Sequence, residues 1–215
     1  MTTVYLMRHS KGNIDRNYLK VKESFQIQNE KYILSVEGEQ RAKKYSELPE
    51  LQDIDFIVSS NYVRSISTAK YISEINDLPL YIDEDFNERK FGIENIKKLP
   101  KNFFEKQMED KNYKLSKGES REEVRSRMVK GLIRVMKGNL NKKIVIVSHA
   151  SSIAFLLTKW CDVRRINGKY IIKYKGATIL NGFDSPELLR LEFDEKNKLI
   201  NIKNIRIKEL EYDNN

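Results

Sequence analysis

The chain contains two histidines, and each follows a short apolar run. His9 closes Val4-Tyr5-Leu6-Met7-Arg8-His9, and His149 closes Ile144-Val145-Ile146-Val147-Ser148-His149. Arg8 precedes the first histidine, and Arg64 stands a few residues beyond a third apolar run, Phe56-Ile57-Val58. A neutral imidazole is a nucleophile that can split a group transfer into two easier steps through a covalent intermediate. Arginine offers planar, bidentate donors that match phosphate oxygens. Two guanidiniums and two imidazoles gathered in one place would suit a phosphoryl group. Taken singly, a histidine after a strand reads equally well as a surface or capping residue. Because these two are the whole supply and occupy equivalent places, a joint role is the better reading.

Transfer from an alkoxide needs a proton for the departing oxygen. Glu88, in Phe86-Asn87-Glu88-Arg89-Lys90-Phe91-Gly92, lies between aromatic neighbours just beyond a fourth apolar run, Leu80-Tyr81-Ile82, and is the candidate acid. Asp15, Asp85 and Glu94 are the alternatives. Most glutamates are simply solvated surface groups. Other chemistries lack their residues. The two histidines have no Asp or Glu at ligand spacing, so no metal is expected. Neither a Gly-x-Ser-x-Gly elbow nor a Gly-x-x-x-x-Gly-Lys-Ser/Thr loop occurs.

These residues need a frame to bring them together. The four apolar runs read as strands of a parallel sheet, where ligands bind beyond the carboxyl ends. Between them lie helical patterns. Ser35 is an N-cap candidate for a helix reaching to about residue 48, before Pro49. Residues 64–75 and 119–137 have apolar side chains at helical spacing, and another helix is expected after His149, through Trp160. Residues 177–183, 188–193 and 199–207 read as an antiparallel extension at one sheet edge. The expected architecture is thus an α/β three-layer sandwich with a mostly parallel central sheet and helices on both faces. One domain over residues 1–215 is expected, with a cap insertion of helix and loop around 93–117.

Composition bounds the setting. The 215 residues are 40% hydrophobic and 33% charged, as in a soluble globular chain, and no apolar run is long enough for a bilayer. Cys161 is the one cysteine, so an internal disulfide is impossible, and with no signal-like N-terminus a cytoplasmic setting is expected. The net charge of +9 could reflect nucleic acid, a phosphorylated substrate, or only a Lys-, Asn- and Ile-rich composition. Basic residues are dispersed and alternate with acids, as in Glu122-Glu123-Val124-Arg125, which favours the last reading and argues against nucleic-acid binding.

At these residues the chain resembles the histidine phosphatase superfamily, also called the phosphoglycerate mutase-like family. Leu6-Met7-Arg8-His9 is similar to its Arg-His-Gly signature, and Leu34-Ser35 through Gly38 to Gln40-Arg41-Ala42 to its Leu-Thr-x-x-Gly-x-x-Gln-Ala helix start. Ser59 through Arg64 to Thr68-Ala69 resembles the second arginine motif. Gly118-Glu119-Ser120 resembles the segment before the long helix, and Val147-Ser148-His149-Ala150 the second histidine motif. The resemblance implies that His9 is the phosphorylated nucleophile. Arg8, Arg64 and His149 would hold phosphoryl oxygens, Glu88 would donate the proton, and no cofactor would be needed. It implies a phosphomonoesterase acting on a small phosphorylated substrate, as a monomer or homodimer without nucleic-acid or membrane partners. A cofactor-dependent mutase and a non-catalytic phosphate-binding regulatory module are the alternatives. Three departures stand out: Ser10 and Ala150 replace glycines, Ser10 adding a hydroxyl to the pocket, and Lys11-Gly12-Asn13 changes the pocket entrance, with Asn13 as a weaker phosphate-contact candidate.

Overall fold

A computed structural model describes residues 1–13 and 23–207. Asp15 lies outside the described residues.

The main sheet has six strands: β1 (Thr2–Arg8), β2 (Phe56–Ser59), β3 (Leu80–Ile82), β4 (Lys143–Ser148), β8 (Glu187–Phe193) and β9 (Leu199–Ile205). Their order is β3-β2-β4-β1-β8-β9. The first four run parallel, and β8 and β9 continue the sheet antiparallel beyond β1. Alternate side chains of a strand face opposite sides, and both sides are covered here. Val4, Leu6, Ile144 and Ile146 join one cluster with α5 (Arg121–Gly138) and α6 (Ala150–Leu157). Tyr5, Met7, Val145 and Val147 join the other with α2 (Val36–Ser46) and α3 (Val63–Asn76), through Tyr45, Ala69 and Ile72. Burial on both faces is why β1 and β4 are continuous apolar runs rather than alternating ones.

The helix starts are set locally. Ser35 accepts from the Gly38 N–H, and Ser120 forms a capping box with Glu123. One short helix, α1 (Phe25–Lys31), adds to the expected set, and the helix expected inside the 93–117 segment is α4 (Phe103–Glu109). Phe103 is fully buried against Phe91, Phe104 and Tyr113, so this segment packs on the loop that follows β3.

The C-terminal third departs from the expectation. Strands β8 and β9 extend the main sheet, but residues 177–183 do not join them. Strand β7 (Ala177–Asn181) pairs instead with β6 (Lys169–Tyr174), which pairs with β5 (Asp162–Ile166), in a separate antiparallel sheet. Helix α6 ends at Leu157, short of Trp160, because the chain must turn into β5. Two two-residue turns, Asn167-Gly168 and Lys175-Gly176, have positive φ at both positions, the geometry that folds strands tightly back on each other. Among the described residues, no helix is long and apolar enough to cross a membrane.

Candidate active site

Strands β1, β2 and β4 end side by side, and their parallel register sets Arg8 opposite Ser148 and Ser59 opposite Val147. The residues immediately beyond are His9, Ser60 and His149. Backbone bonds carry the register one step further: the His9 N–H donates to Ser148 O, and the Ser60 N–H to Val147 O, each at 3.0 Å. The two imidazoles meet edge to face with centroids 5.1 Å apart. Arg64, in the first turn of α3, reaches both of them. Its Nε lies 3.0 Å from His9 Nε2, and its Nη2 lies 3.0 Å from His149 Nδ1.

A guanidinium has only N–H groups to give, so both imidazole nitrogens facing it are acceptors, which assigns the tautomers. The proton of His9 is on Nδ1 and is donated to Ser10 O at 2.7 Å, leaving the Nε2 lone pair on the Arg64 side. The proton of His149 is on Nε2 and is donated to Ser60 Oγ at 2.8 Å. Burial, reinforced by Arg64, pushes both imidazoles well below their ordinary pKa. Burial also pulls Arg64 down to about 10, which leaves it charged at neutral pH. Its Nη1 is held by the carbonyl of Asn29 in α1. Arg8 donates Nη1 to the carbonyls of Phe183 and Asp184, while its buried Nε has no hydrogen-bond partner among the described residues.

The two small substitutions find different uses. Ser10 adds no hydroxyl to the pocket, contrary to the expectation. Its Oγ turns away and donates to Gly38 O at 2.7 Å, and its N–H donates to Thr68 Oγ1. Gly38 must be glycine, since a Cβ there would lie 1.9 Å from Lys11 O. Ala150 begins α6 directly after His149.

Glu88 sits on the loop after β3. Its Oε1 accepts from the Arg89 N–H at 2.9 Å and from Ser152 Oγ of α6 at 3.1 Å. These contacts are polar rather than the aromatic flanks the sequence suggests. The carboxylate is close enough to raise the pKa of both Arg8 and Arg64 against the effect of burial. Its loop is latched from a distance. Glu119 grips Arg127 with two bonds, at 2.7 and 3.0 Å, and accepts the Lys90 N–H. Arg127 in turn donates to the carbonyls of Asp85 and Asn87. Gly92 and Gly118 pack backbone to backbone: a Cβ on Gly92 would lie 2.3 Å from Gly118 N. Arg89 is buried among the rings of Phe91, Phe103, Phe104 and Phe155 and bonds Gln107 of α4.

Arg8, His9, Arg64 and His149 are therefore brought together, with Glu88 beside them. Asn13 is not drawn in. It is exposed, and its backbone N–H bonds Ile33 O. Asp85 is taken by an ion pair with Arg134, and the Glu94 carbonyl accepts from Phe25. The serines supporting the pocket, Ser60, Ser148 and Ser152, carry no independent sequence signal, although all three lie in the strand-end motifs. Among the described residues no cluster of three or more His, Cys, Asp or Glu could hold a metal.

A sequence profile of the histidine phosphatase superfamily (branch 1) matches residues 4–184. An uncharacterised phosphatase of Bacillus subtilis, PhoE, is 33% identical over 167 residues, covering 74% of this chain and 77% of the relative. The chain belongs to the histidine phosphatase superfamily and is an enzyme of the phosphatase class. Solved structures share the fold. A mycobacterial glucosyl-3-phosphoglycerate phosphatase is 18% identical, with TM-score 0.68 over 95% of this chain and 98% of its own. A phosphoserine phosphatase mutant from Entamoeba histolytica is 21% identical, with TM-score 0.64 over 94% and 97%.

Proposed function

We propose that the protein hydrolyses small phosphomonoesters through a phosphohistidine on His9. The observation that carries this reading is the state of His9. Its Nδ1–H is fixed on Ser10 O, its Nε2 lone pair faces the site, and the ring is held neutral by burial. A protonated ring could not attack.

In the first step Nε2 attacks phosphorus and the bond to the alcohol oxygen breaks. The leaving oxygen takes the proton of Glu88. Arg64 exchanges its bonds to the imidazoles for bonds to phosphoryl oxygens, joined by the free Nε–H of Arg8. A dianionic phosphoryl group also favours a proton on His149 Nδ1, which converts that nitrogen from acceptor to donor. In the second step water attacks phosphorus, Glu88 takes its proton, the P–N bond breaks, and inorganic phosphate leaves. Residues 93–117 act in this reading as a cap over a single catalytic domain.

The test is to quench turnover of a slow substrate rapidly and look for acid-labile phosphate by mass spectrometry. Phosphate on His9 is expected, with activity in His9→Ala lowered by about 10⁴-fold or more. A phosphate on another residue, together with an active His9→Ala protein, overturns the assignment.

A further inference from the structure

Arg8 and Ala150, the chain neighbours of His9 and His149, line a cavity of about 490 Å³ beside the candidate site. Its remaining walls come from the second sheet and the loop that leaves it, including Lys169, Tyr170, Gly182 and Asp184, and from Arg206 just beyond β9 of the main sheet. We propose that this cavity receives the leaving group. In this proposal Lys169 selects phosphomonoesters whose alcohol carries a second anionic group, a carboxylate or another phosphate. The inference rests on the phosphatase reading and deepens it.

Position is the first argument. A group esterified to a phosphate held by Arg8 and His9 must extend into adjoining space, and this cavity shares Arg8 with the phosphate pocket. The volume lies in the range of small-molecule sites. Its outer wall is anchored to the catalytic edge: Tyr170 Oη and Ser151 Oγ, in the first turn of α6, are 3.1 Å apart. The Gly182 N–H also donates to Tyr170 O at 2.8 Å.

Charge is the second. Arg206 is already matched, by Glu187 at 3.2 and 3.3 Å and by Asp184 at 3.8 Å. Lys169 has no carboxylate partner among the described residues, and it is exposed. Its stem runs along Gly182, where φ is +84° and a Cβ would stand 3.4 Å from Lys169 Cδ. Glycine at 182 thus leaves room for the lysine along this wall. Apart from Arg8, which serves the phosphoryl group, Lys169 is the cavity's uncompensated cation. A neutral alcohol gains nothing from it, whereas a second anion does.

Three substrates test this: nitrophenyl phosphate, glycerol 1-phosphate and 3-phosphoglycerate, the last two differing in whether the alcohol bears a carboxylate. Wild type should favour phosphoglycerate over glycerol phosphate in kcat/KM. Lys169→Ala should reduce that preference roughly fivefold to tenfold, mainly through KM, between the effect of an exposed ion pair and that of a charged hydrogen bond. Lys169→Glu should reduce it further, and Lys169→Arg should retain it. Nitrophenyl phosphate, whose alcohol carries no second anion, should lose far less kcat/KM than phosphoglycerate in all three variants, and circular dichroism should show that they are folded. An unchanged preference in Lys169→Ala and Lys169→Glu, or a wild type that prefers glycerol phosphate, overturns the inference while leaving the phosphatase reading intact. Absence of turnover of all three substrates by wild type overturns the phosphatase reading and this inference with it.

Discussion

The histidine side of the candidate site, with the proposed nucleophile, and the Glu88 side, with the proposed acid, are built by different means. His9, Arg64 and His149 sit at the ends of buried strands or in the first turn of a packed helix, so the core that orders β1, β2 and β4 also orders them. Glu88 sits on a loop with little regular structure of its own. It is held by hydrogen bonds to backbone carbonyls and by the Gly92–Gly118 contact, with partners drawn from α5, α6 and the segment before α5. Damage to the first region should therefore remove chemistry and stability together. Damage to the second should remove acid catalysis selectively.

The largest effect that separates the two regions concerns Glu88 itself. An alkoxide is a poor leaving group without a proton, while nitrophenolate departs readily unaided. Glu88→Gln should slow hydrolysis of an alkyl phosphate by ~10²- to 10⁴-fold and that of nitrophenyl phosphate far less. Equal losses on the two substrates would make Glu88 structural. Asp85 and Glu94 would then be examined.

The latch should give the same signature more weakly. Glu119→Gln weakens the bidentate hold on Arg127, and with it the support for the Asp85 and Asn87 carbonyls. A stability loss of about 1.5–3 kcal/mol by urea denaturation is expected. Alkyl phosphate turnover should fall roughly tenfold, an effect smaller than that of removing the acid, with inhibition by inorganic phosphate unchanged. Weaker phosphate inhibition would show that the two regions are not independent.

The histidine side should reveal itself through pH. Both histidines are held neutral in the folded protein, with pKa values well below 6.5, whereas in the unfolded chain they protonate near 6.5. Below that pH the unfolded state binds more protons, so stability falls as pH falls. Their contribution is complete above about pH 6.5 and is lost progressively towards the folded pKa values. The slope is up to ~1.4 kcal/mol per pH unit for each histidine. Urea titrations at pH 7, 6 and 5 should show a shallower slope in His149→Gln than in wild type. An equal slope would mean that His149 is not held neutral.

The smallest effect is expected at Ser10. Its hydroxyl faces Gly38 rather than the pocket, so Ser10→Gly should cost about 1–2 kcal/mol of stability. Turnover of nitrophenyl phosphate should stay close to wild type. A large change in activity would place the hydroxyl in the chemistry after all.

The apolar runs around residues 4–7, 56–58 and 144–147 settled from the sequence that a buried parallel sheet forms. Burial on both faces demands continuous apolar stretches, and few other structures use them at that length. Once those strands were set, the meeting of the residues following them was largely determined, because strand ends in such a sheet point to one edge. Ser35 announced its helix through local capping chemistry, whereas Ser120 caps a helix that the apolar spacing placed from residue 119. The Asn167-Gly168 turn between β5 and β6 is no part of the strand pattern read from the sequence, although Asn-Gly is a hairpin signal. What that signal could not reveal is which sheet the hairpin joins. Strand β7 reads as an apolar strand like β8, and only the tertiary structure assigns it to a separate sheet through its pairing with β6. Nor could the sequence foresee that the Ser10 hydroxyl would turn to Gly38, that Arg64 would bridge both imidazoles, or that Glu119 would reach Glu88's loop through Arg127. Each of those contacts joins residues 28 to 85 positions apart, or passes through a third residue. Local sequence carries the propensity of an element, but the partner of a long-range hydrogen bond is chosen only when the whole chain has packed.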